Sequence, residues 1–233
     1  MLVYPDMHNA FRLNLDKSSS LVGNPDFLPE EIDYWLNNAQ DRFVKQRFKE
    51  FEQGIKRITD LQTLVNYTST IPLTASYLGP NVKEGSLSTY VVGYLFYLSS
   101  VVFDNATPIP NRIQCADPID TNHLKNYISD YINSPFIRRP IPYFYSKGVE
   151  TDDQTIAIIY DSNIFTPYGL GLTYLRQPLQ LTSQTVSGYQ TNTCELPVET
   201  HEEIVNIAVS LVIENIESPR VQSFTPINQS NIE

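Results

Sequence analysis

Cysteine, histidine and glycine are all scarce in this chain, and each shortage excludes a class of site. The 233 residues include 2 cysteines, 3 histidines and 9 glycines. Cys115 and Cys194 form no CxxC pair, which argues against a disulfide framework and favours a reducing compartment such as the cytoplasm. Zinc-ligand spacings, glycine-rich phosphate loops, GxSxG elbows and HExxH motifs are missing from the sequence. We therefore expect no cofactor, no metal and no catalytic residues.

Long apolar runs are missing as well. The longest, Val91–Phe103, has 13 residues; it is too short to span roughly 30 Å of hydrocarbon and is typical of a buried strand. Residues 1–20 lack a basic stretch followed by an apolar one, so we expect no secretion signal. These features predict a soluble chain with no membrane partner.

Basic residues are too few for a general nucleic-acid binder. Lys and Arg total 16 against 26 Asp and Glu, which gives a net charge of −10, whereas binding to phosphates needs a basic surface. The imbalance is uneven, because residues 149–233 hold 2 basic and 11 acidic side chains, while Arg42–Arg57 contains six cations. Oppositely charged ends suit head-to-tail contacts with copies of the chain or with stacked partners, and the alternative is two solvated faces of a monomer. The low charged fraction and the 15 tyrosines are typical of subunit interfaces.

The residues that are present predict an α+β fold with a single domain over residues 1–220. Residues 8–67 are expected to be helical, because Pro29 and two acids suit a first turn and apolar side chains follow at helical spacing. Residues 68–198 are expected to be β-rich, with strands near 86–103, 155–160 and 170–181 and a short helix near 121–133.

The C-terminal region predicts a long buried helix and a tail. Residues 200–217 are apolar around most of a helical circumference, which indicates burial on two sides, and Ser218-Pro219 ends the pattern. Residues 221–233 are polar and are expected to form an extended tail that either frays or docks on a neighbour.

Two groups of residues are candidates for contacts with partners. The first group consists of candidate interface residues. It takes cations from the basic run, arginines and aromatics from the loop between prolines, one strand arginine and one tail phenylalanine: Arg42, Lys45, Arg47, Arg138, Arg139, Tyr143, Phe144, Arg176 and Phe224. The excess acid of the C-terminal helix region forms the second group: Glu199, Glu202, Glu203, Glu214 and Glu217.

Two catalytic alternatives have simpler structural explanations. Cys194 and His201 could form a nucleophile–base pair, but a buried structural cysteine and a surface histidine are the ordinary states. Loop carboxylates could serve a hydrolase, although such acids are usually solvated turn residues. They form two close pairs: Asp117 with Asp120, and Asp152 with Asp153.

The segment Phe27–Lys49 resembles the N-terminal helix of head-to-tail connector proteins of tailed phages. An acidic helix start, a WLNxAQ core and a basic-aromatic end carry the resemblance: Glu30, Glu31, Ile32, Trp35, Leu36, Asn37, Ala39, Gln40 and Phe43. Leu170–Arg220 is similar to the same proteins through Tyr174-Leu175-Arg176 with Pro178, the approach Glu195–Pro197 and the helix HEEIVNIAVSLVIENIESPR. The order is most similar to ring proteins of crAss-like phages.

This resemblance implies a non-enzymatic virion protein made in the host cytoplasm. It implies a homo-oligomeric ring, commonly of twelve copies, beneath the portal protein at the capsid vertex and in contact with other ring and tail proteins. The ring would extend the DNA conduit and provide a tail attachment platform. Genome DNA would pass without specific binding, because the acids of the second group would line the lumen and repel its phosphates. The alternative function is a carbohydrate- or receptor-binding β-rich virion module with exposed aromatic side chains.

Overall fold

The computed structural model describes residues 6–18, 27–54, 58–104, 112–129, 139–146, 154–182 and 193–215. Its helices and antiparallel sheets confirm the predicted α+β class. The elements are α1 (Asp6–Ser18), α2 (Pro29–Glu52), a 3₁₀ helix (Ile58–Leu64), β1 (Val65–Pro72), β2 (Thr74–Ala75), β3 (Val82–Ser86), α3 (Leu87–Tyr90), β4 (Tyr94–Asp104), β5 (Arg112–Gln114), α4 (Thr121–Ser129), β6 (Ile141–Ser146), β7 (Gln154–Ile159), β8 (Pro167–Arg176), a 3₁₀ turn (Val198–Thr200) and α5 (His201–Asn215).

The chain divides into two compact units. Both ends of the chain, Met1–Leu64 and Gln177–Glu233, form a helical unit, and Val65–Arg176 forms a β unit. The predicted sequence of a helical region, a β-rich region and a C-terminal helix differs from this division, because the first and the last of these regions belong to the same unit. Folding of residues 1–220 as a single domain stays a prediction. In the part of the chain that the structure describes, no helix is long and apolar enough to cross a membrane.

The helical unit is built around α2 and α5. Pro29 begins α2, and the backbone N–H of Leu28 donates to Glu31 Oε2 at 2.9 Å, which satisfies one donor at the helix start. Gly54, with a φ of 71°, lies one residue beyond the C-cap and stops the helix. The helix α5 packs against both α1 and α2, as its widely apolar circumference predicts. Its buried residues are His201, Ile204, Val205, Ala208, Val209, Val212 and Ile213.

The β unit contains two four-stranded antiparallel sheets. Their strand orders are β1-β8-β4-β5 and β2-β3-β7-β6. Residues of both sheets, such as Leu172 from β8 and Ile156 from β7, share one apolar core. The other face of β7 packs with Ile141 and with residues of α4. Burial on both faces explains why β7 is an unbroken apolar run rather than an alternating one.

Several predicted boundaries are wrong. The helix expected to reach Tyr67 is a 3₁₀ helix that ends at Leu64, and β1 begins at Val65 because its polar and β-branched residues pair with β8. The β-rich region was expected to reach residue 198, but its last strand ends at Arg176 among the described residues. The predicted strand over 86–103 is interrupted by α3. The C-terminal helix begins at His201, and residues 216 and 217 lie outside the described residues.

Candidate assembly surfaces

The WLNxAQ core of α2 holds an extended segment of the chain. The side chain of Asn37 accepts a hydrogen bond from the backbone N–H of Leu181 at 2.7 Å and donates to the carbonyl of Leu181 at 3.0 Å. Three residues along the helix, Gln40 is 2% exposed and donates to the carbonyl of Leu179 at 3.1 Å. Cys194 Sγ donates to Gln40 Oε1 at 3.5 Å. The two amides therefore bind the segment that follows β8 as a neighbouring strand would.

Arg47 is the centre of a charge cluster inside the helical unit. Its guanidinium lies 2.9 Å from Glu50 Oε2 and pairs with Glu203 of α5, and its Nε lies 3.4 Å from Asp60 at ion-pair rather than hydrogen-bond geometry. Burial lowers the pKa of Arg47, but the hydrogen bond to Glu50 and the neighbouring negative charges outweigh burial and raise it overall. The side chain is 13% exposed. Arg47 and Glu203 were candidates for a partner surface and for the lumen, and we now assign both to the fold.

The remaining candidates of the helical unit stay on its surface. Lys45 is exposed, and Arg42 lies 3.9 Å from Glu214 with both side chains more than half exposed. Glu199 and Glu202 are exposed as well. Because Arg42 faces Glu214 and Arg47 faces Glu203, α2 and α5 run antiparallel and place the basic and acidic parts of the sequence side by side. The expectation of a basic end and an acidic end is therefore wrong for this unit, since the charges partly compensate within one chain.

The arginine-aromatic candidates are mostly interior residues of the β unit. Tyr143 is 7% exposed and belongs to an apolar cluster, and Phe144 packs against Tyr94 and Tyr97. Both are predicted at an interface, but Tyr143 packs in the cluster that includes residues of α4, and the half-buried Phe144 packs against the core shared by the two sheets. Arg139 is exposed, and Arg176 is half-buried with an interaction of its own. Arg138, Phe224 and Glu217 lie outside the described residues.

The residues of the catalytic alternatives have structural surroundings where the structure describes them. Burial raises the pKa of the Cys194 thiol to about 11, which leaves it protonated near neutral pH. His201 was expected at the surface but is 2% exposed, because the 3₁₀ turn before α5 places its Nε2 3.0 Å from the carbonyl oxygen of Leu196. Asp117 and Asp120 are exposed, and Asp152 and Asp153 lie outside the described residues. Where the structure describes the chain, no group of three metal-ligating side chains is present.

The β unit exposes several aromatic side chains. Tyr77 is 73% exposed, Tyr168 61% and Tyr67 51%. The Tyr67 hydroxyl lies 2.7 Å from where a Cβ would stand on Gly171, so a side chain at that position would collide with it. Exposed tyrosines combine apolar rings with a polar group and are typical of contact surfaces.

A polar cleft in the helical unit is the feature that the sequence analysis missed. It has a volume of about 200 Å³. One wall of the cleft is a row of α2 side chains at positions i, i+4 and i+7: Tyr34, Asn38 and Asp41. The other wall belongs to the segment after β8: Gln177, Pro178 and Gln180. The polar i, i+4, i+7 spacing was visible in the sequence, but it resembles any solvated helix face. No protein-family model matches the chain, and no curated protein matches it.

Proposed function

We propose that the protein is a non-enzymatic virion structural protein, a subunit of a head-to-tail connector ring beneath the portal protein. One observation carries the proposal. The two stretches that bear the resemblance are far apart in the sequence, yet Phe27–Lys49 forms most of α2 and the helix of the second stretch forms α5, which pack together in one unit. The resemblance therefore covers a folded unit rather than two isolated motifs.

The residues of the resemblance also have structural tasks in that unit. Ile32, Leu36, Ala39 and Phe43 form the buried side of α2, each at most 1% exposed. The polar residues of the core bind the segment after β8, as described above. A set of residues that builds one unit is expected to recur together in proteins that share the unit. This agreement supports a shared fold, and the ring function follows from the fold as a proposal.

The exposed acids give the ring a role toward DNA. Glu199, Glu202 and Glu214 remain at the surface, and Glu214 has the exposed Arg42 at 3.9 Å, a looser contact than the one between Glu203 and Arg47. Lining a conduit, these carboxylates would repel DNA phosphates and let the genome pass without adhesion. A density map of the assembled ring tests this placement. Carboxylates that face outward from the ring would contradict it.

The oligomeric state tests the ring itself. Native mass spectrometry of the full-length chain, alone and with the portal protein of the same phage, should show assemblies of defined copy number. If exposed cations of α2 contact a neighbour, Lys45→Glu should prevent assembly, whereas Lys17→Glu, an exposed lysine on α1, should not. A chain that stays monomeric with and without portal protein would contradict the proposal.

A second candidate function is favoured by the exposed tyrosines of the β unit. In that case the protein would be a carbohydrate- or receptor-binding virion module that acts as a monomer. Binding to a glycan array would support this function, and loss of binding in Tyr168→Ala but not in Tyr90→Ala would locate it. Ring formation without glycan binding would favour the connector.

A further inference from the structure

The polar cleft contains hydrogen-bonding groups that the described part of the chain does not use. Neither the Tyr34 hydroxyl nor the side chains of Asn38 and Asp41 have a hydrogen-bond partner among the described residues. Asn38 and Asp41 are half-buried, and burial raises the pKa of Asp41 although Lys45 lowers it. Polar groups in an open cleft bind water, and a polar ligand that offers the same hydrogen bonds can replace that water. The cleft can therefore hydrogen-bond to a polar ligand.

The same helix shows what kind of ligand this chemistry suits. Asn37 and Gln40 already bind the extended backbone of Leu179 and Leu181. Tyr34, Asn38 and Asp41 form the next row on the same helix, because residues at these spacings share a face. This row offers an amide, a carboxylate and a phenol to a second length of backbone beside the first. The ligand that fits is an extended polypeptide.

Charge narrows the choice of ligand further. Asp41 is the one formally charged side chain among the residues that line the cleft, and its carboxylate would repel a phosphate. The other polar lining groups are amides and a hydroxyl, which both donate and accept hydrogen bonds. Such a lining suits a segment that is polar and almost uncharged. Residues 221–233 match this description, with four amides, three hydroxyls, one carboxylate and no cation.

The last described residues of the chain lie close to the cleft. Near the described end of α5, Glu214 Oε2 lies 3.9 Å from Arg42 Nη1, and Arg42 directly follows the cleft residue Asp41. Val221 follows Asn215 by six positions, and six extended residues can span up to about 20 Å. Tethering at this distance gives the segment a high effective concentration at the cleft.

We propose that the cleft is the docking site of the chain's own residues 221–233. The amide of Asn38 pairs with the backbone of the segment, and the ring of Phe224 packs on the exposed ring of Tyr34. Docking concerns the single chain, so it occurs in the free protein as well as in a ring. It gives Phe224, which was expected at a partner interface, a position within its own chain.

Photo-crosslinking of the full-length protein tests the proposal. Phe224 is replaced by p-benzoylphenylalanine, and equal amounts of ¹⁴N- and ¹⁵N-labelled protein are mixed before irradiation. Mass spectrometry should find position 224 joined to Tyr34–Asp41 or to Gln177–Gln180, within chains of a single isotope. Crosslinks to other residues, crosslinks that join the two isotopes, or no crosslink at all would overturn the proposal.

Matched substitutions then test the role of the cleft. The double change Tyr34→Ala and Asn38→Ala should lower the crosslink at this site at least fivefold. The control is Asn9→Ala with Leu13→Ala, a pair of exposed residues on α1, and it should leave the yield unchanged. Circular dichroism should show that both variants are folded. An unchanged yield in the folded cleft variant would also overturn the proposal, even if the protein still assembles into rings.

Discussion

Side-chain amides hold parts of the helical unit together much as a backbone would. Asn37 donates to and accepts from the same residue, Leu181, and Asn14 of α1 donates to Asn206 of α5 at 3.1 Å. The buried contacts have the larger energetic effect, because a buried group that loses its partner retains the cost of desolvation. The sequence indicates that these residues lie on helices, but it does not show their partners, which lie more than a hundred residues away.

Removal of the Asn37 side-chain amide should therefore lower the stability of the fold. Asn37→Ala leaves the N–H and C=O of Leu181 without this partner, and we expect the free energy of unfolding to fall by about 2 kcal/mol. Urea denaturation followed by the fluorescence of Trp35 measures the change. Asn9→Ala removes an exposed amide of α1 and should change stability by no more than about 0.5 kcal/mol. Equal stabilities of the two variants would show that the amide contact is not needed.

Arg47 should contribute far more to the free energy of unfolding than Arg42 does. Arg47→Met leaves three carboxylates without their shared cation, and we expect a loss of about 3 kcal/mol at pH 7. Arg42→Met removes an exposed contact of 3.9 Å and should cost less than about 0.5 kcal/mol. The deficit of Arg47→Met should shrink in 1 M sodium chloride, because salt screens the repulsion among the three carboxylates. A deficit that is independent of salt would contradict the electrostatic cause.

Cys115 should make the stability depend on alkaline pH. Burial raises the pKa of its thiol from 9.0 to about 11, so the folded chain keeps a proton that the unfolded chain loses. The stability that this proton provides is complete below pH 9 and is lost as pH rises toward 11. Denaturation midpoints between pH 8 and pH 11 should fall more steeply in the wild-type chain than in Cys115→Ala. Identical slopes would contradict this role.

At the scale of elements, the predictable parts are those in which the local pattern and the packing agree. The start of α2 is encoded by Pro29 and two acids, and β7 by a short apolar run, so both were found from the sequence. The strand that begins at Val65 was not found from the sequence, since its pairing with β8 depends on residues more than a hundred positions away. The polar cleft was missed for the same reason: one of its walls is the segment that Asn37 and Gln40 hold in place.

The close approach of β1 and β3 requires a glycine in β3. A Cβ on Gly85 would stand 2.7 Å from Ile71 Cγ2 and 3.1 Å from the carbonyl oxygen of Pro72. Ile71 is fully buried and cannot move aside, so Gly85→Ala should destabilise the protein by about 2 kcal/mol. Gly169→Ala is the matched control, because its nearest neighbour is a methyl group of the exposed Thr70 at 3.2 Å. Thermal unfolding should rank Gly85→Ala as the less stable variant, and the reverse order would contradict the steric cause.

At the scale of the whole molecule, the placement of the acidic residues is more informative than the net charge of −10. The antiparallel packing of α2 and α5 sets Glu203 against Arg47 and Glu214 near Arg42, so part of the acidic C-terminal region is compensated within the chain. Glu199 and Glu202 remain exposed. A connector subunit needs acid on only one side, toward the DNA. The proposed ring therefore depends on the exposed acids and not on the total charge.

Electron microscopy of the full-length protein mixed with the portal protein of the same phage tests the central claim most directly. The proposed function predicts closed rings on the portal, with twelve subunits as the expected number and the exposed glutamates of α5 facing the channel. Particles in which the portal carries no added ring, together with a monomeric chain in solution, would contradict the proposed function.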